Sequence, residues 1–182
     1  MFIRSRHFSR RATAVSLTAA LAGLAGLTAA GSAGGTTAAP EATSAPSTSR
    51  TCTVSDLYLS MGRKEGAAGS LYWPIRFTNT STTSCTLRGF PGVSVLDTTH
   101  HQIGPAADRN GKPYDTVTIA PARTVTATVR TATGPVDGPC LRTGTYLRVY
   151  PPASYTAVLV PAEWKICSDI FQVGPVNTEG TF

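Results

Sequence analysis

Alternating apolar and polar residues dominate the chain after residue 50 and predict β-strands. In SLYWPIRFTNT every second residue from Leu71 to Phe77 is apolar, as a half-buried strand requires. Pro74 has no amide hydrogen, so we expect a bulge or a sheet edge at that position. Polar residues 79–84 predict a turn. Residues 85–87 then predict the second arm of a β-hairpin.

Further short alternating segments follow in TVTIAPARTVTATV, TYLRVYPP, TAVLV and DIFQVGPV. Each ends at Pro, Gly or Ser, and no segment has a helical period. Seven to nine short strands with turns between them predict an all-β fold, an immunoglobulin-like β-sandwich of antiparallel strands. A small closed barrel is the alternative architecture.

The first 50 residues have a different composition. Residues 1–33 combine four arginines, an apolar run and small residues, which together predict a secretory signal peptide. The alternative is an uncleaved N-terminal anchor. Residues 34–50 are rich in Ala, Thr, Ser and Pro, and predict a disordered linker. The β-sandwich domain is therefore predicted over residues 51–182, with no transmembrane segment after signal cleavage.

Removal of the signal changes the charge of the protein. The formal net charge of +6 comes from 16 basic and 10 acidic residues. Four of the arginines lie in the predicted signal, so the exported chain has 12 basic residues, 10 acidic residues and a net charge of +2. The remaining basic residues are scattered along the chain, which argues against a nucleic-acid partner.

Four cysteines, all in the exported part, predict two disulfides in an oxidising compartment. Three pairings are open. We favour Cys52 with Cys85, which would tie the opening strand to the hairpin arm. Cys140 with Cys167 would then join the flanks of the last strands. No Cys-x-x-Cys motif indicates a redox centre or a zinc site.

The folded part also resembles a known family. The matching features are the opening Cys52, the stretch GAAG before an aromatic strand, the turn NTS, and the segments CTL and GFPGV. In these the chain is similar to the secreted actinobacterial domain of unknown function 4232, over roughly residues 52–176. The resemblance implies an exported or cell-envelope β-domain with paired cysteines. It implies no activity, because none is assigned to the family.

Candidate catalytic and metal-binding residues form no convincing set. His100 and His101 are the only histidines after the signal, and we expect them in a solvated turn rather than at a metal. Ser94, His101 and Asp108 supply the residue types of a hydrolase, but no nucleophile-elbow motif surrounds the serine. Residues 108–113 lack the alternating acids of a calcium loop. We therefore predict no enzyme, no metal and no cofactor.

Aromatic residues provide the candidate binding surface. Those predicted to lie outside the apolar strand faces or in loops are Tyr72, Tyr146, Tyr150, Tyr155 and Trp164. Of these, Tyr72, Tyr150, Tyr155 and Trp164 are the predicted ligand contacts, since exposed aromatic rings can pack on sugars or on a protein partner. The alternative is that the rings cover the ends of the sandwich.

Arginines provide a second candidate surface. Arg130, Arg142 and Arg148 are predicted to share one sheet face with threonines 124, 126 and 128. A solvated outer face is the alternative.

These observations predict an exported, non-catalytic binding or structural module. Its location would be secreted or extracellular, including association with the cell wall, and its partner a cell-wall polymer or an envelope or extracellular protein. The main alternative is a small secreted enzyme or enzyme inhibitor that uses the loops around His100 and Arg109. A carrier of lipid or small molecules would need an internal apolar cavity.

Overall fold

The computed structural model describes residues 49–180 and 182 of the chain. The predicted signal peptide and all but the last two residues of the predicted linker lie outside the described residues. The described part contains one 3-10 turn, Val54–Asp56, and eleven strands. In chain order the strands are β1 Leu57–Met61, β2 Glu65–Ala67, β3 Ser70–Asn79, β4 Cys85–Arg88, β5 Gly92–Leu96, β6 Asp108–Arg109, β7 Thr116–Ile119, β8 Thr124–Ala132, β9 Gly144–Tyr150, β10 Val158–Trp164 and β11 Gln172–Val173.

The larger sheet has the strand order β1-β3-β8-β11-β6, and β2 also pairs with β3. β3 and β8 form its centre through nine antiparallel partners, from Ser70 opposite Ala132 to Thr78 opposite Thr124. Two smaller sheets have the orders β10-β9-β5 and β4-β7. The predicted all-β fold is confirmed, with more strands than the seven to nine predicted. The prediction that all strands are antiparallel is wrong at one place, because β11 pairs with β6 in parallel.

The inward residues of all three sheets build one core. They include Ile75 and Phe77 of β3, Val129 of β8 and Leu147 of β9, each with no exposed surface. The predicted apolar face of β3 is confirmed, with Leu71 half-buried at its end. Burial of apolar surface on this scale is the main favourable contribution to folding.

Pro74 does not mark a sheet edge, because β3 lies between β8 on one side and β1 and β2 on the other. Gly62 N donates to Pro74 O. Because the nitrogen and the oxygen of one strand residue point to the same neighbouring strand, the nitrogen of Pro74 also faces Gly62. On that side the partner strand changes from β1, which ends at Met61, to β2, which begins at Glu65. The Gly62–Pro74 pair therefore has one backbone hydrogen bond instead of two, and Gly62 O accepts from Trp73 Nε1 at 2.7 Å in place of the missing amide hydrogen.

The predicted hairpin between β3 and β4 is wrong, because β4 pairs with β7 and not with β3. The side chain of Asn79 explains the divergence. Its Nδ2 donates to the carbonyls of Thr83 and Ile119, and its Oδ1 accepts from Ser81. These bonds tie the turn to the end of β7, because Ile119 is the register partner of Cys85, the first residue of β4.

Both predicted disulfides are confirmed. Cys52–Cys85 joins the first described segment to β4, and Cys140–Cys167 joins the segment before β9 to the one after β10. Cys52 and Cys85 are buried, whereas Cys140 is half-buried.

An ion pair holds the start of the domain. Arg50 Nη1 and Nη2 donate to the two carboxylate oxygens of Asp56 at 2.7 and 2.9 Å. Thr53 N and Oγ1 donate to the same carboxylate. Hydrogen bonds from Arg50, and then from Thr53, hold the pKa of Asp56 well below its usual range. Arg50, which falls in the predicted linker, is thus bound to the folded domain.

Candidate ligand-contact face

The outer surface of the β5-β9-β10 sheet carries the best candidate site. Along β9 burial alternates, so that Leu147 and Val149 face the core while Tyr146, Arg148 and Tyr150 are half-buried on the outside. Residues two apart on a strand lie on one face. The three outer residues therefore form a continuous row with a cation between two phenol rings.

Neighbouring strands extend this row into a surface. Arg148 lies opposite Ser94 of β5 and Leu159 of β10 in the register of the sheet. Leu159 is 42% exposed. We call the surface formed by Tyr146, Arg148, Tyr150 and Leu159 the tyrosine–arginine face.

Tyr150 lies opposite a glycine on the adjacent strand. Gly92 is its register partner, and a Cβ added at Gly92 would lie 3.5 Å from Cβ and Cδ2 of Tyr150, which is an ordinary van der Waals contact. The phenol ring therefore lies beside the Gly92 backbone with room for a side chain as small as that of alanine.

Tyr146 is placed by the turn after β5. The ring of His100 meets the ring of Tyr146 edge-on, with centroids 5.2 Å apart. Asp97 organises this turn, because its Oδ1 accepts from Thr99 N, Thr99 Oγ1 and His101 N. The Thr99 hydroxyl is the largest of the influences that hold the pKa of Asp97 below its usual range. Asp97 also pairs with Arg142 at 2.9 Å.

Arg148 is the charged centre of the face. Its Nη2 donates to Oε1 of Gln102 at 2.6 Å. Its Nε is buried and has no hydrogen-bond partner among the described residues. The alternation in TYLRVY would have identified Tyr146, Arg148 and Tyr150 as one outer row. Gln102, Gly92 and Leu159 carry no such signal, because turns and register bring them to the face.

The predicted contact residues do not form one site. Tyr150 lies on the tyrosine–arginine face, and Tyr155 is fully exposed in the loop between β9 and β10. Tyr72 lies on the larger sheet, with its ring 5.9 Å from that of Phe182. The prediction that Trp164 is exposed is wrong, since it is 1% exposed and packs against Trp73 and Phe171. Trp164 has the same alternation phase as the buried Val160 and Ala162 of β10, so period two along that strand places it in the core.

The predicted common face of three arginines is also wrong. Arg130 lies on β8 of the larger sheet, with Thr126 and Thr128. Arg148 lies on β9 of the other layer, and Arg142 precedes β9 and pairs with Asp97. The chain crosses between layers after β8, so alternation within each segment could not show which layer each arginine joins.

The histidines and the residues of the hydrolase-like set are separate. His101 Nδ1 hydrogen-bonds Thr99 Oγ1 within its own turn, and no hydrogen bond links Ser94, His101 and Asp108 in the described part of the chain. Over residues 49–180 and 182, no three residues of the types His, Cys, Asp and Glu are grouped to hold a metal ion. That same part of the chain has no helix with the length and apolar character for membrane crossing.

A polar groove of about 380 Å³ lies elsewhere, between residues 112–117 and the last described segment. Its lining includes Lys112, Tyr114, Asp115, Glu179 and Phe182. Tyr114 is held there by Phe90, with ring centroids 5.2 Å apart. The groove mixes opposite charges and shares no residue with the tyrosine–arginine face.

Comparison with known proteins gives one family and no close relative of established activity. The family described as Domain of unknown function (DUF4232) matches residues 52–177, which confirms the predicted resemblance. No curated protein matches the chain. Two crystal structures of β-glucosidase from Kluyveromyces marxianus, one selenomethionine-labelled and one with glucose, are 12% identical with a TM-score of 0.33. Each match covers 65% of this chain and 14% of that one, and a likeness this weak carries no argument.

Proposed function

Because the chain belongs to the family described as Domain of unknown function (DUF4232), whose description assigns no activity, we propose that its β-sandwich is a non-catalytic binding module, exported to the cell envelope. The N-terminal signal-like segment and the two disulfides support export. The Ala, Thr, Ser and Pro-rich segment before the domain supports a role as a spacer.

One observation carries the binding role. The tyrosine–arginine face gathers two phenol rings, a guanidinium and an exposed leucine on a single sheet. Tyr and Arg are the residue types enriched at binding hot spots, since they combine large contact area with directed polar groups. On this chain His100 contacts the ring of Tyr146, and Gln102 accepts a hydrogen bond from Arg148. A surface arranged before binding loses less conformational entropy when a ligand arrives.

The partner we propose is a polymer of the cell wall. The face lies on an open sheet surface rather than in a closed pocket, and its three residues on β9 span about 13 Å. Such a surface suits an extended chain that packs along the strand. It is less suited to a small molecule, which binding sites usually enclose.

A binding experiment tests this function. The full exported chain, with both disulfides formed, is incubated with insoluble cell-wall polymer, and the bound fraction is measured. We expect retention that falls at least tenfold when Tyr146 and Tyr150 are both replaced by Ala, because stacking area is lost. Tyr58→Ala is the matched control, since Tyr58 is 62% exposed on the larger sheet.

Two outcomes would contradict the proposal. One is a wild-type protein that the polymer does not retain. The other is an equal loss of retention in the Tyr58→Ala control and in the double variant. Thermal unfolding of each variant shows that the comparison is made between folded proteins.

A further inference from the structure

The guanidinium of Arg148 lacks a counter-charge within the described part of the chain. Two ion pairs form over residues 49–180 and 182, Arg50 with Asp56 and Arg142 with Asp97. Arg148 takes part in neither. Its one side-chain hydrogen bond there goes to the neutral amide oxygen of Gln102, and its buried Nε donates to nothing.

The two acids nearest to Arg148 in the sheet either pair with other residues or lie too far from its guanidinium. The Asp97 carboxylate accepts from Arg142 and from its own turn. Glu163 lies four residues further along β10 than Leu159, the register partner of Arg148. At the rise of an extended strand that separation is about 13 Å. Neither carboxylate therefore neutralises Arg148.

The charge of Arg148 has no counter-charge among the described residues to offset it, and its unpaired Nε is buried. The Nη2 end, bonded to Gln102, lies at an exposed position, so the Nη atoms are the donors that a ligand can reach. Arg has five donors in a planar fork that matches carboxylate or phosphate oxygens. The arrangement resembles a binding site in which the ligand supplies the missing acceptor.

We propose that Arg148 binds an anionic oxygen group, carboxylate or phosphate, carried by an extended polymer that lies along β9 between Tyr146 and Tyr150. This inference rests on the proposed binding function and adds the chemical class of the ligand. The two phenol rings pack against the uncharged parts of the polymer, on either side of the anion. Arg148 contributes a charge-assisted, fork-shaped contact that a neutral polymer cannot make.

The test compares three soluble polymers. Poly(glycerol phosphate) supplies phosphate, polygalacturonate supplies carboxylate, and dextran is neutral. We expect the full exported chain to bind at least one anionic polymer ten times more tightly than dextran, and to lose most of that difference as salt is raised, because exposed charge pairs are screened. The anionic polymer that binds more tightly shows whether Arg148 prefers phosphate or carboxylate.

Variants of Arg148 localise the effect. Arg148→Gln is expected to lower affinity for the anionic polymer at least tenfold. Arg148→Lys keeps the charge without the fork, so a smaller loss is expected. Arg76→Gln is the matched control, because Arg76 is an exposed arginine on β3 of the larger sheet; its affinity should not change.

Two results would overturn the anion assignment. These are equal binding of dextran and both anionic polymers, or equal affinity of wild type and Arg148→Gln. If retention on cell wall still depends on Tyr146 and Tyr150, the binding function stands without the anion. If retention is also absent, both proposals fall.

Discussion

Arg130 and Arg148 occupy similar positions in the two layers and have different surroundings. Each is a half-buried arginine on the outer side of a strand, two residues from another polar or aromatic outer residue. Arg130 Nε donates to Ser70 Oγ at 3.0 Å, and its Nη1 donates to Gln172 Oε1 at 2.9 Å. Its guanidinium also lies 6.0 Å from the centre of the Tyr72 ring. Arg148 has one such bond and an unpaired Nε.

The larger sheet pairs most polar groups of its outer face from within the chain, although the buried Thr126 Oγ1 has no hydrogen-bond partner among the described residues. Thr128 Oγ1 donates to Gly180 O, and the backbone of Asn177 pairs with that of Thr126. The ring of Phe182 lies against Tyr72. On the tyrosine–arginine face the described chain supplies contacts from the turn after β5, with His100 at Tyr146 and Gln102 at Arg148, and these leave Arg148 Nε without a partner. Residue type alone therefore does not make a binding surface, which depends on whether the fold supplies hydrogen-bond partners for the polar side chains.

Removal of a disulfide should lower stability more than any other proposed change. The double variant Cys140→Ser, Cys167→Ser should lower the free energy of unfolding by about 3 to 4 kcal/mol. The double variant Cys52→Ser, Cys85→Ser should lower it by a similar amount, because the two closed loops are alike in length. Denaturant unfolding measures both losses. Binding of cell-wall polymer should differ between the two double variants, since only Cys140–Cys167 joins the flanks of β9 and β10. Equal binding by the two double variants would show that the tyrosine–arginine face does not depend on that disulfide.

Replacement of Arg130 or Arg148 should change the free energy of unfolding by less than removal of a disulfide does. Arg130→Gln should lower the free energy of unfolding by about 1 to 2 kcal/mol, because Ser70 and Gln172 lose a charged donor. Arg148→Gln should leave stability unchanged or raise it, since it removes a partly desolvated cation with few partners. Thermal unfolding compares the two. A larger loss in Arg148→Gln would mean that Arg148 is a structural residue rather than a ligand contact.

Lowering the pH should have the smallest effect on stability, and it acts through two carboxylates, Asp56 and Asp97. Asp56 and Asp97 both have a folded-state pKa below the unfolded value of about 3.9. Their contribution is therefore complete above that value and is lost as pH falls below it. We expect a Tm that is constant from about pH 5 to 7 and declines below pH 4. Asp56→Asn and Asp97→Asn should each make the decline shallower; an unchanged decline in both variants would assign it to other groups.

The sequence was sufficient to predict the all-β class and the longer strands, but not the short strands β2 and β6. Alternation from Leu71 to Phe77 and in TVTIAPARTVTATV identified β3, β7 and β8, because a half-buried strand must bury every second side chain. The preferred disulfide pairing was also correct. Pairing of strands was harder to predict, since the turn held by Asn79 sends β4 to β7 through contacts with Thr83 and Ile119, and Ile119 is 40 residues away.

For the candidate site, too, alternation along one strand was predictable, and contacts between strands distant in sequence were not. Local order along the chain determined that Tyr146, Arg148 and Tyr150 share one face of a strand, since side chains alternate with a period of two. The same alternation along β10 places Trp164 in the core with Val160 and Ala162. In contrast, folding was needed to bring Arg130 to Ser70 and Gln172 and to leave Arg148 without an acid among the described residues. Alternation is a property of neighbours in sequence, whereas the satisfaction of a charge depends on residues that meet only when the layers fold together.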